Sequence, residues 1–209
     1  YYWGALLWTV PLALSRLPLE VGYNLVVALL GGLLAGTVWS LGRRLAGSTA
    51  AGLAAALLAL FAGTPDGLRQ LLAGASLTGL DFWHSSRQVT DTITEWPLFT
   101  LWLGDLHPHL LSMPLQVLAL LVAAQAGRRG PRLPELLVLG CLVGATWAAN
   151  PWAFPPTLAG VALLLLSADG TWHWPTGPGA RRWLAVVGLT VAAWALTAPF
   201  HLSFHPPFE

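Results

Sequence analysis

Long apolar runs alternate with short polar breaks along most of the chain. A membrane-crossing helix needs about 20 apolar residues, within a range of roughly 17–25. Runs of that kind fall at 21–42, 47–63, 106–126, 133–149, 153–167 and 183–199. Residues 1–14 are apolar but short, begin with Tyr1, Tyr2 and Trp3, and contain Pro11. Aromatic rings with a polar tip favour the membrane surface, so this segment is expected to be an interfacial helix. The pattern therefore predicts an all-α polytopic membrane bundle of about six spans plus that helix, in a single membrane domain over 1–209. The exception to the rhythm is 64–105, a connection too long to be a simple turn and therefore suspect as functional.

Composition agrees with this reading. The chain is 56% hydrophobic and 9% charged, against about 25% charged in soluble domains. A net charge of +1 and the lack of an extended basic cluster argue against nucleic acid as a partner. One cysteine, Cys141, excludes an intrachain disulfide. The chain opens on Tyr1 without a Met or a charged leader, so it is expected to be an internal piece of a longer protein.

Charge placement orients the spans. Arg43, Arg44, Arg128, Arg129, Arg132, Arg181 and Arg182 follow spans one, three and five, whereas Arg16, Arg69 and Arg87 lie on the other side. The positive-inside rule then puts 64–105 on the extracytoplasmic face of a prokaryotic plasma membrane. Asn150-Pro151-Trp152 and 200–209 are expected on the same face.

The connection concentrates the chemistry. Residues 81–109 hold Asp81, Asp91, Glu95, Asp105, His84, His107, His109 and Arg87. In an extended 104–109, Asp105, His107 and His109 would share a face. Oxygen and imidazole donors of this kind suit a divalent ion such as Mg, Mn or Zn. Pro108 suits the first turn of a helix, which would make Asp105 its N-cap and leave backbone N–H groups for an anion. Both uses of Asp105 stand open. Arg87 offers a planar fork for phosphate, or an ion pair with Asp81, Asp91 or Glu95. Glu95, beside Trp96 and Pro97, is a candidate acid or base, and His84 a second phosphate ligand. Asp66 with Arg69 reads as the start of a surface helix. Asn150 and Trp152, at a helix break, could line a sugar pocket. Soluble-enzyme signatures, from Gly-rich phosphate loops to paired cysteines, do not occur.

Glu95-Trp96-Pro97-Leu98-Phe99 followed by Gly104-Asp105-Leu106-His107-Pro108-His109 resembles the signature of the YYY membrane proteins (the Chlor_Arch_YYY domain), whose function is not established. Tyr1-Tyr2-Trp3-Gly4, Phe82-Trp83 with Ser86-Arg87, and Asn150-Pro151-Trp152-Ala153-Phe154-Pro155 extend the likeness along the whole chain. Two positions depart: Ala153 stands where that family usually has Asp, and Trp3 where it has a third Tyr. Residues 1–24 are also similar to the first outer loop of GT-C glycosyltransferases. That likeness implies a GT-C-like bundle taking sugar from a polyprenyl-phosphate carrier in the membrane. It implies catalytic roles for Asp105 and Glu95, with Asp105, His107 and His109 on a metal. Phosphate or substrate contacts then fall to Arg87, His84, Asn150 and Trp152. It further implies a catalytic acid before Tyr1, so that 1–209 alone would be inactive. The alternatives are a transporter or lipid-binding protein, weakened by the lack of charges inside the spans, and a metal-dependent membrane hydrolase. Sugar, acceptor and protein partners are not legible.

Overall fold

The computed structural model describes residues 14, 16–90, 92, 94–167 and 171–203. The interfacial helix expected at 1–14 lies, but for Leu14, outside the described residues, as do Asp91 and His205. Among the described residues the fold is all-α, as the hydrophobic pattern predicts. The helices are α1 (Leu19–Ala46), α2 (Thr49–Phe61), α3 (Asp66–Leu72), α4 (Phe82–Ser85), α5 (Pro97–Leu103), α6 (Pro108–Arg129), α7 (Leu133–Ala149), α8 (Phe154–Leu166) and α9 (Ala180–Ser203). Of these, α1, α6 and α9 are long and apolar enough to cross a membrane. A fourth span results if α2 and α3, bent by 78° at their junction, are taken as one broken segment. Helices α7 and α8 are apolar but shorter.

Local signals explain where these helices begin and end. Ser48 caps α2 by accepting the Ala51 N–H, a usual role for a hydroxyl at that position. Proline occupies the first turn of α5, α6 and α7, where a missing N–H costs nothing. At the start of α7 the Arg132 N–H donates to Glu135 Oε2 at 3.1 Å.

The chain divides into two compact units, 23–106 and 1–22 with 107–209. In the second unit, α6 packs on α7 and α8, and α7 on α9. Their shared core is Ala119, Ala123, Leu139, Val143, Val161, Leu165, Leu189 and Ala193. Small residues let the backbones approach, as membrane helices require. A Cβ on Gly144 would stand 2.7 Å from the Ala193 carbonyl oxygen. A polar group adds an interhelical link: Gln116, held by Ser112 Oγ on its own helix at 3.0 Å, accepts from Thr157 Oγ1 on α8 at 3.3 Å. Arg182 donates to the carbonyls of Gly127 and Leu165, near the ends of α6 and α8.

In the unit 23–106, α2 packs back along α1. A Cβ on Gly52 would meet the Trp39 carbonyl oxygen at 2.6 Å, and one on Gly42 the Ala55 Cβ at 2.8 Å. Val26, Leu30 and Leu34, four residues apart on α1, are buried. The connection 64–105 is not an open loop. Three short helices fold it into a layer, which Leu106 closes by donating its N–H to Tyr23 Oη on α1 at 3.1 Å.

Candidate functional site

The layer is nucleated by a carboxylate. Asp66 opens α3 and is only 3% exposed. Its Oδ1 accepts from Arg69, with Nε at 2.9 Å and Nη2 at 2.8 Å. Its Oδ2 accepts from Gln70 Nε2 at 2.7 Å and Ser85 Oγ at 2.9 Å, and lies 3.0 Å from His84 Nδ1. The Gln70 amide, with His84, Ser85 and Arg69 behind it, holds the Asp66 carboxyl well below the usual carboxylate range, against the opposing effect of burial. Gln70 Oε1 also accepts the Asp81 N–H at 2.7 Å, and Thr64 Oγ1 donates to the Ser85 carbonyl at 2.9 Å. Asp66 is therefore not the start of a solvated surface helix, as its sequence setting suggests. It is a buried knot tying α3 to α4, whose partners Ser85 and His84 come from a separate turn.

Beside the knot stands a second charged pair. Arg87 donates from Nη1 to the Ser86 carbonyl at 3.0 Å and to Ser86 Oγ at 2.7 Å. Its Nη2 meets Glu95 Oε1 at 3.4 Å, and its guanidinium lies 4.3 Å over the Trp83 ring. Stacking and hydrogen bonds together fix the plane of the fork, which a lysine could not reproduce. Among the described residues, the acid the structure pairs with Arg87 is Glu95, whose side chain is 8% exposed.

Aromatic rings frame this chemistry. Trp83 and Trp96 both lie against Phe99, at 6.3 and 5.4 Å, and Phe82 stacks on Trp102 at 6.2 Å. Trp96 can lie on the backbone at Gly63 because no Cβ is there: one would stand 2.6 Å from the indole. Between them a cavity of about 150 Å³ opens, lined by Phe61, Thr64, Phe82, Ser85 and Trp96 among others. Ser85 thus belongs to both the Asp66 knot and the cavity wall.

Gly104 ends α5 in the left-handed conformation, with φ at +65°, which favours glycine. The N–H of Asp105 then returns to the Thr100 carbonyl at 3.1 Å. Helix α6 starts at Pro108 with His107 at its cap position. Asp105 is therefore not the N-cap that the sequence allows. The residue before a proline is pushed to extended backbone, and His107, with ψ at 143°, obeys that constraint. Asp105 ends up in the unit 23–106, while His107 and His109 belong to the other. The structure brings the two imidazoles together, with ring centroids 4.9 Å apart.

Asn150 and Trp152 behave differently. Asn150 Oδ1 accepts the Trp152 N–H at 3.2 Å, which closes the turn Pro151–Ala153. Trp152 is 80% exposed. Close by in the sequence, Trp147 stacks on Phe154 at 4.4 Å and lies 4.1 Å from His201. His201 Nε2 is 3.1 Å from Thr197 Oγ1. The sequence leaves His201 unplaced, because the Trp147 ring it meets stands on a different helix.

A family model described as "Uncharacterized membrane protein (DUF2298)" matches residues 1–209. The chain belongs to that family. It is an integral membrane protein of a family whose function is not established. Searches of curated proteins and of solved structures returned no match.

Proposed function

We propose that this DUF2298 protein is a GT-C-like glycosyltransferase, or part of one, that takes sugar from a polyprenyl-phosphate donor at the extracytoplasmic face of a prokaryotic plasma membrane. What supports the reading is the Arg87 fork, held in one plane by Ser86, Glu95 and Trp83. Departure of a phosphate from a sugar needs a cation fixed where negative charge develops. Arg87 binds that phosphate, and His84, half-exposed with Nδ1 on Asp66, is its second contact. Glu95 holds Arg87 until the donor arrives and is the candidate base for the acceptor hydroxyl. Asp105 is the acid of the neighbouring signature.

His107 and His109 are the residues fitted to a divalent ion. Two imidazoles side by side supply two of the four donors that a zinc site takes. Such an ion, Mg, Mn or Zn, would supply charge stabilisation for the leaving phosphate.

Competition binding tests the phosphate role. Free polyprenyl phosphate should displace a labelled donor from the wild-type protein. Arg87→Ala should weaken that displacement at least about tenfold, which is roughly 1.4 kcal/mol. Equal displacement in both proteins removes Arg87 from the phosphate site.

A further inference from the structure

The layer 64–105 carries an outward face that its polar knot does not need. Leu68, Leu72, Leu77, Trp83, Trp102 and Leu103 are all exposed, Leu72 by 81% and Trp102 by 77%. Leu68 and Leu72 lie four apart on α3, hence on one side of it. Asp66, on the same short helix, is turned inward.

Helix lengths say what covers this face. Helix α2 leaves the end of α1 marked by Arg43 and Arg44 and runs back along α1 through Gly42 and Gly52. Its 13 residues give a length of about 20 Å, against roughly 30 Å of hydrocarbon. It therefore stops about 10 Å short of the far side. There α3 turns away at 78°, across the span rather than along it. A layer beginning at that depth lies below the opposite membrane surface, and two of its exposed large side chains are Trp, the residue of membrane interfaces.

We infer that the layer 64–105 is immersed in the leaflet facing away from Arg43 and Arg44, with its Leu and Trp side chains in contact with lipid. The occupant of the exposed face is the bilayer itself, at the boundary of headgroup and acyl chain. This inference does not depend on glycosyl transfer.

Nitroxide labels test it. Leu72→Cys, Leu77→Cys and Trp102→Cys are made singly in the full chain with Cys141→Ser, and reconstituted in phosphatidylethanolamine–phosphatidylglycerol vesicles. Collision with oxygen, which partitions into lipid, is compared with collision with a water-soluble nickel chelate. The inference expects oxygen to exceed nickel several-fold at all three sites, the reverse of free label in buffer. Nickel in excess at residues 72 and 102 overturns it, because the layer then stands in water. Low access to both probes also overturns it, because protein then covers the face. Three independent sites keep the test decisive if one variant folds poorly.

Discussion

Asp66 Oδ2 and His84 Nδ1 meet at 3.0 Å across eighteen residues of sequence. The carboxylate can only accept, so Nδ1 carries the proton. The Gln88 amide then donates to the His84 carbonyl at 2.8 Å. Nitrogen-15 spectra of the full chain labelled at histidine should show a protonated Nδ1 on His84. Asp66→Asn, whose side-chain oxygen accepts more weakly, should shift the population toward Nε2–H. An Nε2–H tautomer in the wild type would contradict the arrangement.

The same carboxylate sets an acid dependence. An Asp whose folded pKa is depressed adds stability above its unfolded pKa, about 3.9, and loses it as pH falls through the lower folded value. Asp66 is depressed by its donors, Gln70 foremost. Hydrogen exchange at the Asp81 amide, bonded to Gln70 within this knot, should therefore stay slow from pH 7 to about 4. Protection should go only in stronger acid. A midpoint near the ordinary carboxylate value would show that the donors do not hold Asp66.

Glycine substitutions should separate packed from open positions. Gly144→Ala drives a methyl against the Ala193 carbonyl, and Gly52→Ala one against the Trp39 carbonyl. Each should cost about 1–3 kcal/mol. A Cβ on Gly36 would meet nothing within 4 Å, so Gly36→Ala should be neutral or stabilise by up to about 1 kcal/mol. Thermal unfolding in detergent gives all three values, and a Gly144→Ala protein as stable as wild type would refute the close α7–α9 contact.

Gln116 joins α6 to α8 through Thr157. Polar links between membrane helices average about 0.6 kcal/mol, with a maximum near 1.7. Gln116→Leu should lower stability by that order, measured against the same unfolding transition. A larger loss would mean that the amide holds more than this pair.

Local chemistry is legible in the sequence, and long-range chemistry is not. Pro97, Pro108 and Pro134 mark helix starts, and Gly104 marks a stop, because proline and glycine act through their own backbone. The all-helical class follows from apolar runs alone. Asp66 misleads because the residues that bury it, His84 and Ser85, lie 18 and 19 positions away. Its near neighbours, Arg69 and Gln70, suggest only a solvated helix start. Asp105 reads as an N-cap because its spacing from Pro108 permits one. The extended backbone that Pro108 imposes on His107 delays the helix instead. For Arg87 the sequence supplies three acids, and among the described residues the fold pairs it with Glu95. His84 and Arg87, named from residue type, do fall among charged partners in one layer, but phosphate itself is still a proposal.

Sugar transfer is the most direct test of the central claim. The full-length protein, reconstituted in vesicles, is given labelled polyprenyl-phosphate sugars, and product is followed for wild type, Asp105→Ala and Arg87→Ala. The proposal expects transfer by the wild type and a loss of at least about tenfold in each variant, roughly 1.4 kcal/mol of barrier. Equal transfer by all three proteins, or no transfer from any donor by a wild type that still binds the carrier, would contradict it.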